Sequence, residues 1–325
     1  MGLSELMEQK TAPRWLIWVA LWTVYVIWGS TYLAIRVMVR TLPPLLSGGA
    51  RFVVAGAVLL GVLLVRRGVA AVTIGRRELL SSSVIGAALL LGGNGLVSVA
   101  EEHVPSGLAA LLIASVPLWV VLLRSLFEGR VPFATLLSVA VGFAGVAILV
   151  VPGGRSSGAP VGGLLLLLVA AVCWAGGSFL STKLSLPRDP LVSTGFQMLC
   201  GGIVMLVVGL MTGEGSTFTI SGLSRASVLA FAYLVVAGSL VAFTAYSWLL
   251  RNAPISKVAT YAYVNPLVAI LLGWSILHER VTPAVLLGAA VILSSVAFVI
   301  RKESHPEHQP EAPEVATALA AVDTS

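Results

Sequence analysis

Aromatic and hydroxyl side chains recur at helical spacing inside long apolar stretches of this sequence. The candidates are Trp28, Ser30, Thr31, Tyr32, Trp174 and Ser178. Trp28 and Tyr32 lie one helical turn apart and therefore share a face, and Trp174 and Ser178 repeat that spacing. Such groups could line a cavity that binds a small polar molecule, or they could hold neighbouring helices together. Their types and spacing leave both interpretations open.

A second group forms a polar stripe on an apolar helix. Asn94, Ser98 and Glu101 stand at positions i, i+4 and i+7, so they line one face. A polar group in hydrocarbon needs water or a partner, so the stripe could line an exit path; alternatively, Asn94 bonds a neighbouring helix. We expect Glu101 and Glu102 to contact water near the outer mouth.

Glu101 is also the candidate for coupling transport to protons. No Asp, Glu or His lies in the middle of an apolar stretch, and arginine holds its proton too tightly to exchange it. Either Glu101 takes up a proton at the mouth, or transport is uncoupled. We favour the uncoupled interpretation, because a group in contact with water on one side is poorly placed to carry a proton across a membrane.

A phenol and an amide precede a proline late in the chain. Tyr261 and Asn265 lie one turn apart, directly before Pro266. A proline inside a helix frees the carbonyl about four residues earlier, here near Ala262. A free carbonyl, a phenol and an amide could bind an ammonium or an amide group. The alternative is that Asn265 only satisfies the interrupted backbone.

Arg51 is the single charge inside an apolar stretch, and a charge there is a functional hypothesis by default. Its guanidinium could meet a substrate carboxylate. We favour a structural role instead, such as bonding the carbonyls at a helix end. Gln197, which is uncharged, occupies the corresponding place in the second half of the chain.

The sequence contains no catalytic constellation. The four histidines (His103, His278, His305 and His308) fall in predicted loops or the tail, so no buried Ser-His pair or metal site is expected. No glycine-rich nucleotide loop ending in Lys-Ser or Lys-Thr occurs, which argues against direct ATP drive. We expect no cofactor. An intramembrane enzyme, for instance one with a serine–lysine dyad, ranks below a carrier.

The composition indicates a membrane protein. The chain is 58% hydrophobic and 10% charged, whereas a soluble domain carries roughly 25% charged residues. The lipid bilayer must therefore cover much of the apolar surface. The net charge of +6 is spread along loops without a long basic run, so nucleic acid is not an expected partner. Cys173 and Cys200 sit in apolar stretches and imply no disulfide framework.

Ten apolar stretches approach the length of about 20 residues that a bilayer requires. They lie at 15–35, 45–65, 80–100, 105–127, 132–151, 162–182, 190–211, 226–249, 255–277 and 282–300. The predicted fold is an all-α membrane protein with ten transmembrane helices. Residues 1–14 form a cytoplasmic N-terminal segment, residues 152–161 a Gly- and Ser-rich linker, and residues 301–325 a disordered cytoplasmic tail.

Prolines mark equivalent helices in the two halves. Pro105 and Pro117 have the same separation as Pro254 and Pro266. In each pair the first proline suits the opening turn of a helix, and the second falls inside the span and must bend it. We expect Pro117 and Pro266 to act as paired bends in helices that move during transport.

The repeat extends beyond the prolines. Residues 45–52 align with 191–198, and Gly56 then aligns with Gly202. The predicted repeats cover residues 15–151 and 162–300. Because each has five spans, an odd number, the second must be inverted in the membrane relative to the first. Inverted repeats are typical of carriers that alternate between two conformations around a site near the midplane.

An ordered set of motifs resembles a known family over about residues 15–300. The motifs are Trp28-Gly29-Ser30-Thr31-Tyr32, Pro43-Pro44, Ala50-Arg51-Phe52, Gly92-Gly93-Asn94-Gly95, Val104-Pro105-Ser106-Gly107, Ser178 and Tyr261-Ala262-Tyr263-Val264-Asn265-Pro266. They resemble the drug/metabolite transporter superfamily, its ten-helix EamA family and the YedA-like inner-membrane transporters within it. The family commonly ends its ninth helix with a glutamate, here matched by Glu279. The equivalent place in the first repeat departs from this pattern, with Arg130 and nearby Glu128.

The resemblance implies a carrier in the bacterial inner membrane, often one that exports amino acids or other small metabolites. We expect a secondary carrier with a small-molecule substrate, such as a neutral amino acid, and no enzymatic activity. The alternatives are a carrier of drugs, nucleosides or other metabolites, and the membrane enzyme considered above. The assembly is expected to be a monomer or a homodimer.

Lysine and arginine predict the orientation in the membrane. With the N-terminus inside, the predicted inner segments hold 14 of these residues and the outer segments hold 5. Positive charges favour the cytoplasmic side, so both termini should be cytoplasmic. A reporter that is active only in the periplasm should be active at Ser157 and silent at Pro310. An active reporter at Pro310, or a silent one at Ser157, would disprove the topology.

Overall fold

The computed structural model describes residues 13–129, 131–150 and 159–303, and all regular secondary structure among them is helical. Ten apolar helices can be followed. They are α1 (Arg14–Met38), α2 (Pro44–Arg67), α3 (Arg76–Ala100), α4 (Ser106–Phe127), α5 (Phe133–Val150), α6 (Val161–Ser181), α7 (Pro190–Met211), α8 (Arg225–Leu250), α9 (Tyr261–Leu277) and α10 (Pro283–Lys302). Within the described residues, nine are long and apolar enough to cross a bilayer, and α9 is shorter, with 17 residues.

The helix ends differ from prediction in two places. The helix of α10 continues to Glu303, three residues into the segment predicted as the tail. The predicted span at 255–277 is divided, because a short helix, Ile255–Val258, precedes α9. Large parts of three predicted segments lie outside the described residues: 1–12 of the N-terminal segment, 152–158 of the linker and 304–325 of the tail.

Two helices contain π-helical segments that the sequence analysis missed. In α3 the segment is Ala87–Gly95, and in α8 it is Leu234–Val241. Under the same repeat alignment that pairs Gly56 with Gly202, Gly238 corresponds to Gly92. The two segments therefore lie at equivalent places in the two halves. π-Helical turns are rare and are frequent at functional sites, so these segments direct attention to α3 and α8.

The two prolines expected to form paired bends differ in their settings. In α4 the helix is interrupted at Ala114 and Ser115, and Pro117 lies in the first turn of the part that follows. There its missing N–H removes no helical hydrogen bond. Pro266 lies inside α9, where a backbone bond is lost. Pro117 and Pro266 are therefore not equivalent bends. Pro105, the first proline of its pair, is predicted to suit the opening turn of a helix. It directly precedes the first turn of α4.

Glycines bring the backbones of α2 and α7 into contact. A β-carbon on Gly49 would lie 2.9 Å from the carbonyl oxygen of Gly202, and one on Gly56 would lie 2.8 Å from that of Gly195. Neither approach leaves room for a larger residue. Small residues permit such close packing between membrane helices, where van der Waals contact drives association. We call this contact the glycine seam.

The remaining helices pack on one another in several further pairs. α5 packs along α10, while α1 packs against α8 and α9, and α6 packs against α3 and α4. Large apolar side chains cover the outer surface, for example Trp22 on α1, Leu229 on α8 and Leu271 on α9. So much exposed apolar surface is compatible with a lipid environment and not with water. Each half contacts the other through several helices.

The glycine seam makes a stability prediction. Gly56→Val would force a side chain against the backbone of α7, which should destabilise the protein by about 1–3 kcal/mol. Gly61→Val in the same helix is the matched control, because nothing lies within 4 Å of a β-carbon at Gly61. Thermal unfolding of the detergent-purified variants should show a lower Tm for Gly56→Val alone. Equal Tm values for both variants would contradict the close packing.

Candidate functional site

Four aromatic rings from three helices meet around Trp28. The ring centroid of Trp28 lies 5.1 Å from that of Phe243, 5.0 Å from that of Tyr246 and 5.2 Å from that of Tyr261. Tyr246 and Tyr261 also contact each other, at 5.7 Å. We call these four residues the Trp28 cluster. The structure thus brings together two predicted site residues, Trp28 of α1 and Tyr261 of α9, and adds two from α8.

The π-helical segment of α8 connects the Trp28 cluster to Thr31. Trp28 Nε1 donates to the carbonyl oxygen of Gly238 over 3.2 Å, and Thr31 Oγ1 donates to that of Trp28 over 2.6 Å. A β-carbon on Gly238 would lie 3.1 Å from Thr31 Cγ2 and 3.2 Å from Arg51 Nη2. Glycine at this position lets α1, α2 and α8 converge.

Arg51 lies beside this junction with only 4% of its surface exposed. Its Nε donates to Ser239 Oγ over 2.9 Å, and its guanidinium carbon lies 4.6 Å from the centroid of the Phe52 ring. Arg51 therefore bonds a hydroxyl in the middle of α8, not the helix-end carbonyls suggested by the sequence. In the described part of the chain, none of the ion pairs includes Arg51. Its counterpart, Gln197, donates to Ser193 of its own helix over 2.9 Å.

The Asn265 amide bonds the backbone. With the amide oriented to suit its neighbours, its nitrogen donates to the carbonyl oxygens of Tyr25 at 3.2 Å and Tyr261 at 3.3 Å. Asn265 is buried beside Pro266. Both acceptors are main-chain groups, and neither is the carbonyl oxygen of Ala262 that the proline frees.

The predicted residues of α3 and α6 form a second group. A β-carbon on Gly93, in the π-helical segment of α3, would lie 2.6 Å from Trp174 Cε3, so Trp174 packs directly on this segment. Ser98 is buried and donates to the carbonyl oxygen of Asn94 over 2.9 Å. Ser178 is half-buried on α6. Trp174 therefore packs against the π-helical segment of α3, and Trp28 contacts the π-helical segment of α8 in a similar way.

Two other predicted residues on α1 point to different neighbours. Ser30 Oγ bonds the carbonyl oxygen of Ile27 at 2.8 Å and the Tyr233 hydroxyl at 2.6 Å. Tyr32 is half-buried, packs against the apolar core and lies close enough to Tyr261 to interact electrostatically with it. Trp28 and Tyr32 therefore both lie near Tyr261.

Sequence reasoning missed Gly238, Ser239, Phe243 and Tyr246 on α8. The sequence does contain a signal for Gly238. The repeat alignment pairs it with Gly92, which belongs to the glycine motif of the first half. The contacts of Phe243 and Tyr246 had no comparable signal, because aromatic residues in an apolar helix more often face lipid or core.

Glu101 is not at the water, contrary to expectation. It directly follows α3, is fully buried, and neither carboxyl oxygen has a hydrogen-bond partner in the described structure. Arg36 donates instead to the backbone carbonyl of Glu101. Burial raises the pKa of Glu101 well above its usual range, and the negative charge of Glu279 adds to the rise, which the Arg36 guanidinium opposes. Glu102 is exposed, as predicted.

Glu279 binds the first turn of α4. Its Oε1 accepts from Ser106 N at 2.8 Å, its Oε2 accepts from Gly107 N at 3.1 Å, and the Ser106 hydroxyl donates to both oxygens. A carboxylate here satisfies N–H groups that have no partner within the helix. The first half lacks an equivalent of Glu279, and its nearby acid has different partners. Glu128 pairs with Arg124 and Lys183, and Arg130 lies outside the described residues.

Comparison with known families gives a clear result. A model of the EamA-like transporter family matches this chain twice, at residues 14–151 and at residues 161–301. The two matches together cover most of the chain.

Individual relatives cover the same region. The uncharacterized inner membrane transporter YedA of Escherichia coli (strain K12) is 38% identical over 281 residues, covering 86% of this chain and 89% of YedA. Protein PecM of Dickeya dadantii (strain 3937) is 29% identical over 278 residues, covering 84% of this chain and 88% of PecM. A solved crystal structure has a TM-score of 0.60 at 20% identity and covers 88% of this chain and 98% of its own, which shows a shared fold.

Proposed function

The chain belongs to the EamA-like transporter family, and from that premise we propose a secondary carrier that exports small polar metabolites, such as neutral amino acids, by alternating access. Family membership makes the chain a membrane transporter, and its similarity to YedA and its apolar helices make it a multi-pass inner-membrane protein. The substrate, the direction and the mechanism are the parts that we propose.

The observation that carries the proposal is the uncompensated charge of Arg51. A buried cation is costly unless an anion or several hydrogen bonds compensate it. Among the described residues, Nε has a hydrogen-bond partner in Ser239, and no carboxylate forms an ion pair with the guanidinium. A substrate carboxylate would supply the missing charge, since guanidinium and carboxylate form strong paired hydrogen bonds. In this proposal Arg51 contacts the substrate as well as holding α2 to α8.

The Trp28 cluster supplies the rest of the proposed binding surface. Aromatic faces attract ammonium groups and also pack against apolar side chains. The cluster and Arg51 both meet the π-helical segment at Gly238, so one small zwitterion could contact both. We propose that Trp28, Thr31 and Tyr261 line the site. Ser30, Tyr32, Asn94, Ser98, Trp174, Ser178 and Asn265 remain candidates for the path through the protein.

Alternating access is supported by the way the halves pack. The alignment pairs Gly49 with Gly195 and Gly56 with Gly202, while the contacts join Gly49 to Gly202 and Gly56 to Gly195. Such exchanged contacts are what a two-fold relation between repeats produces. The double match of one family model supports the same duplication. We propose two inverted five-helix repeats, with both termini in the cytoplasm.

The alternatives differ in the group that Arg51 would meet. A drug or nucleoside without an anionic group would leave the guanidinium uncompensated, which makes such cargo the second candidate. An intramembrane enzyme is disfavoured because relatives such as YedA are named as transporters. The assembly is proposed to be a monomer or a homodimer.

Counterflow in proteoliposomes tests the proposal. The probes are labelled L-threonine and L-phenylalanine, and each is compared with its carboxamide, which lacks the carboxylate. The wild type should exchange the amino acids and reject the amides. Arg51→Gln should raise the half-saturating concentration of the amino acid about 10–100-fold, because hydrogen bonds to charged groups contribute about 1.5–3 kcal/mol.

A matched variant separates binding from structure. Ser239→Ala removes the hydroxyl that accepts from Arg51 Nε but keeps the cation. It should retain discrimination against the amides, whereas Arg51→Gln should lose it. If Arg51→Gln slowed transport and still rejected the amides as the wild type does, Arg51 would have a structural role only. If the wild type exchanged neither amino acid, the proposed substrate class would be wrong.

A further inference from the structure

Two carboxyl groups near the start of α4 have opposite surroundings. Glu279 accepts hydrogen bonds from Ser106 N, Ser106 Oγ and Gly107 N. Glu101, a few residues earlier in the chain, is fully buried and has no donor for either oxygen. When two acids are placed in such different environments, one tends to stay ionised and the other to hold its proton.

Physical reasons favour a proton on Glu101. Burying an ionised carboxylate without hydrogen bonds is far more costly than burying the neutral acid. The N-terminus of α4 and its donors stabilise the negative charge of Glu279, and this charge disfavours a second one on Glu101. The positive charge of Arg36 opposes this effect in part, while its hydrogen bond goes to the backbone carbonyl of Glu101 and not to the carboxyl group.

The titratable side chains that face Glu101 come from α1 and from the end of α9. Tyr32 and Arg36 of α1 face Glu101, and Glu279 faces it from the end of α9. Within its own connection, Glu102 and His103 are exposed. The surroundings of Glu101 thus contain one cation and one anion, and their charges roughly offset each other. Burial therefore decides whether the Glu101 carboxyl group is protonated.

A narrow cleft reaches Glu279 of this pair. Its lining residues are Pro105, Gly107, Leu108, Ile270, Glu279, Arg280, Val281 and Val285. Glu279 lines the cleft and also interacts electrostatically with the buried Glu101. A proton that entered from the cleft would meet Glu279 first, so opening of the contact between Glu279 and α4 would link proton exchange to a conformational change.

We propose that Glu101 is a buried proton-binding site, closed off by Glu279, and that its loading and release couple proton movement to substrate export. The expectation of uncoupled transport depended on Glu101 being in contact with water, and the burial of Glu101 removes that argument. The proposal rests on the chain being a carrier. Proton movement opposite to the substrate would make the carrier an antiporter.

The first experiment needs no substrate and measures thermal unfolding of the purified protein across pH. A raised pKa means that the folded state keeps its proton when the unfolded state has lost it. The stabilisation is complete below the ordinary pKa of glutamate and is lost as pH rises through the folded-state value. The Tm of the wild type should therefore fall with rising pH. Glu101→Gln, which mimics the neutral acid, should remove most of this fall.

Glu102→Gln is the matched control for both experiments. Glu102 is exposed, and burial raises the pKa of Glu102 less than that of Glu101. The control should keep most of the pH dependence of Tm seen in the wild type. The same pH dependence of Tm in Glu101→Gln and the wild type would overturn the proton site.

The second experiment measures proton movement directly in proteoliposomes that contain a pH-sensitive dye. Adding external L-threonine or L-phenylalanine should make the interior more alkaline with the wild type and with Glu102→Gln. Glu101→Gln should show counterflow without this pH change. Wild-type counterflow with no pH change would overturn the coupling and leave the proposed carrier intact. If the wild type showed no counterflow with either amino acid, the proposed substrate class would fail, and the pH dependence of Tm would alone decide whether Glu101 holds a proton.

Discussion

The contact between α2 and α7 is the constraint on which the rest of the structure depends. Gly49, Gly56, Gly195 and Gly202 let the two backbones approach until no β-carbon fits at three of these positions without meeting the partner backbone. In lipid, apolar side chains gain little by leaving the solvent, so this close packing has to hold the halves together. The contact joins α2 of the first half to α7 of the second.

The polar interior is organised around the π-helical segments of α3 and α8. Each segment presents a glycine to a tryptophan of the opposite half, Gly93 to Trp174 and Gly238 to Trp28. A buried polar backbone has to be satisfied inside the protein when lipid surrounds it. At α8 the same segment also receives Arg51, through Ser239. The charge, the aromatic rings and the irregular backbone therefore occur together, where a carrier site would need them.

The acidic residues show how the two halves differ. Glu214 accepts from the backbone N–H groups of Leu45 and Leu46 at the start of α2, as Glu279 does at the start of α4. Each acid comes from the second half and caps a helix of the first. Glu128 pairs with basic residues instead. Among the acidic residues that the structure describes, Glu101 of the first half is fully buried, whereas Glu214 and Glu279 of the second half cap helices.

The sequence by itself determined the helical class and the positions of most apolar spans, because apolar length is a local feature of the chain. It also identified Trp28, Tyr261 and Arg51 as unusual residues. Only the tertiary structure decided which of them meet: Trp28 with Tyr261, and Arg51 with Ser239. The burial of Glu101 was likewise invisible, because exposure at a helix end depends on neighbours from α1 and α9 that are distant in sequence.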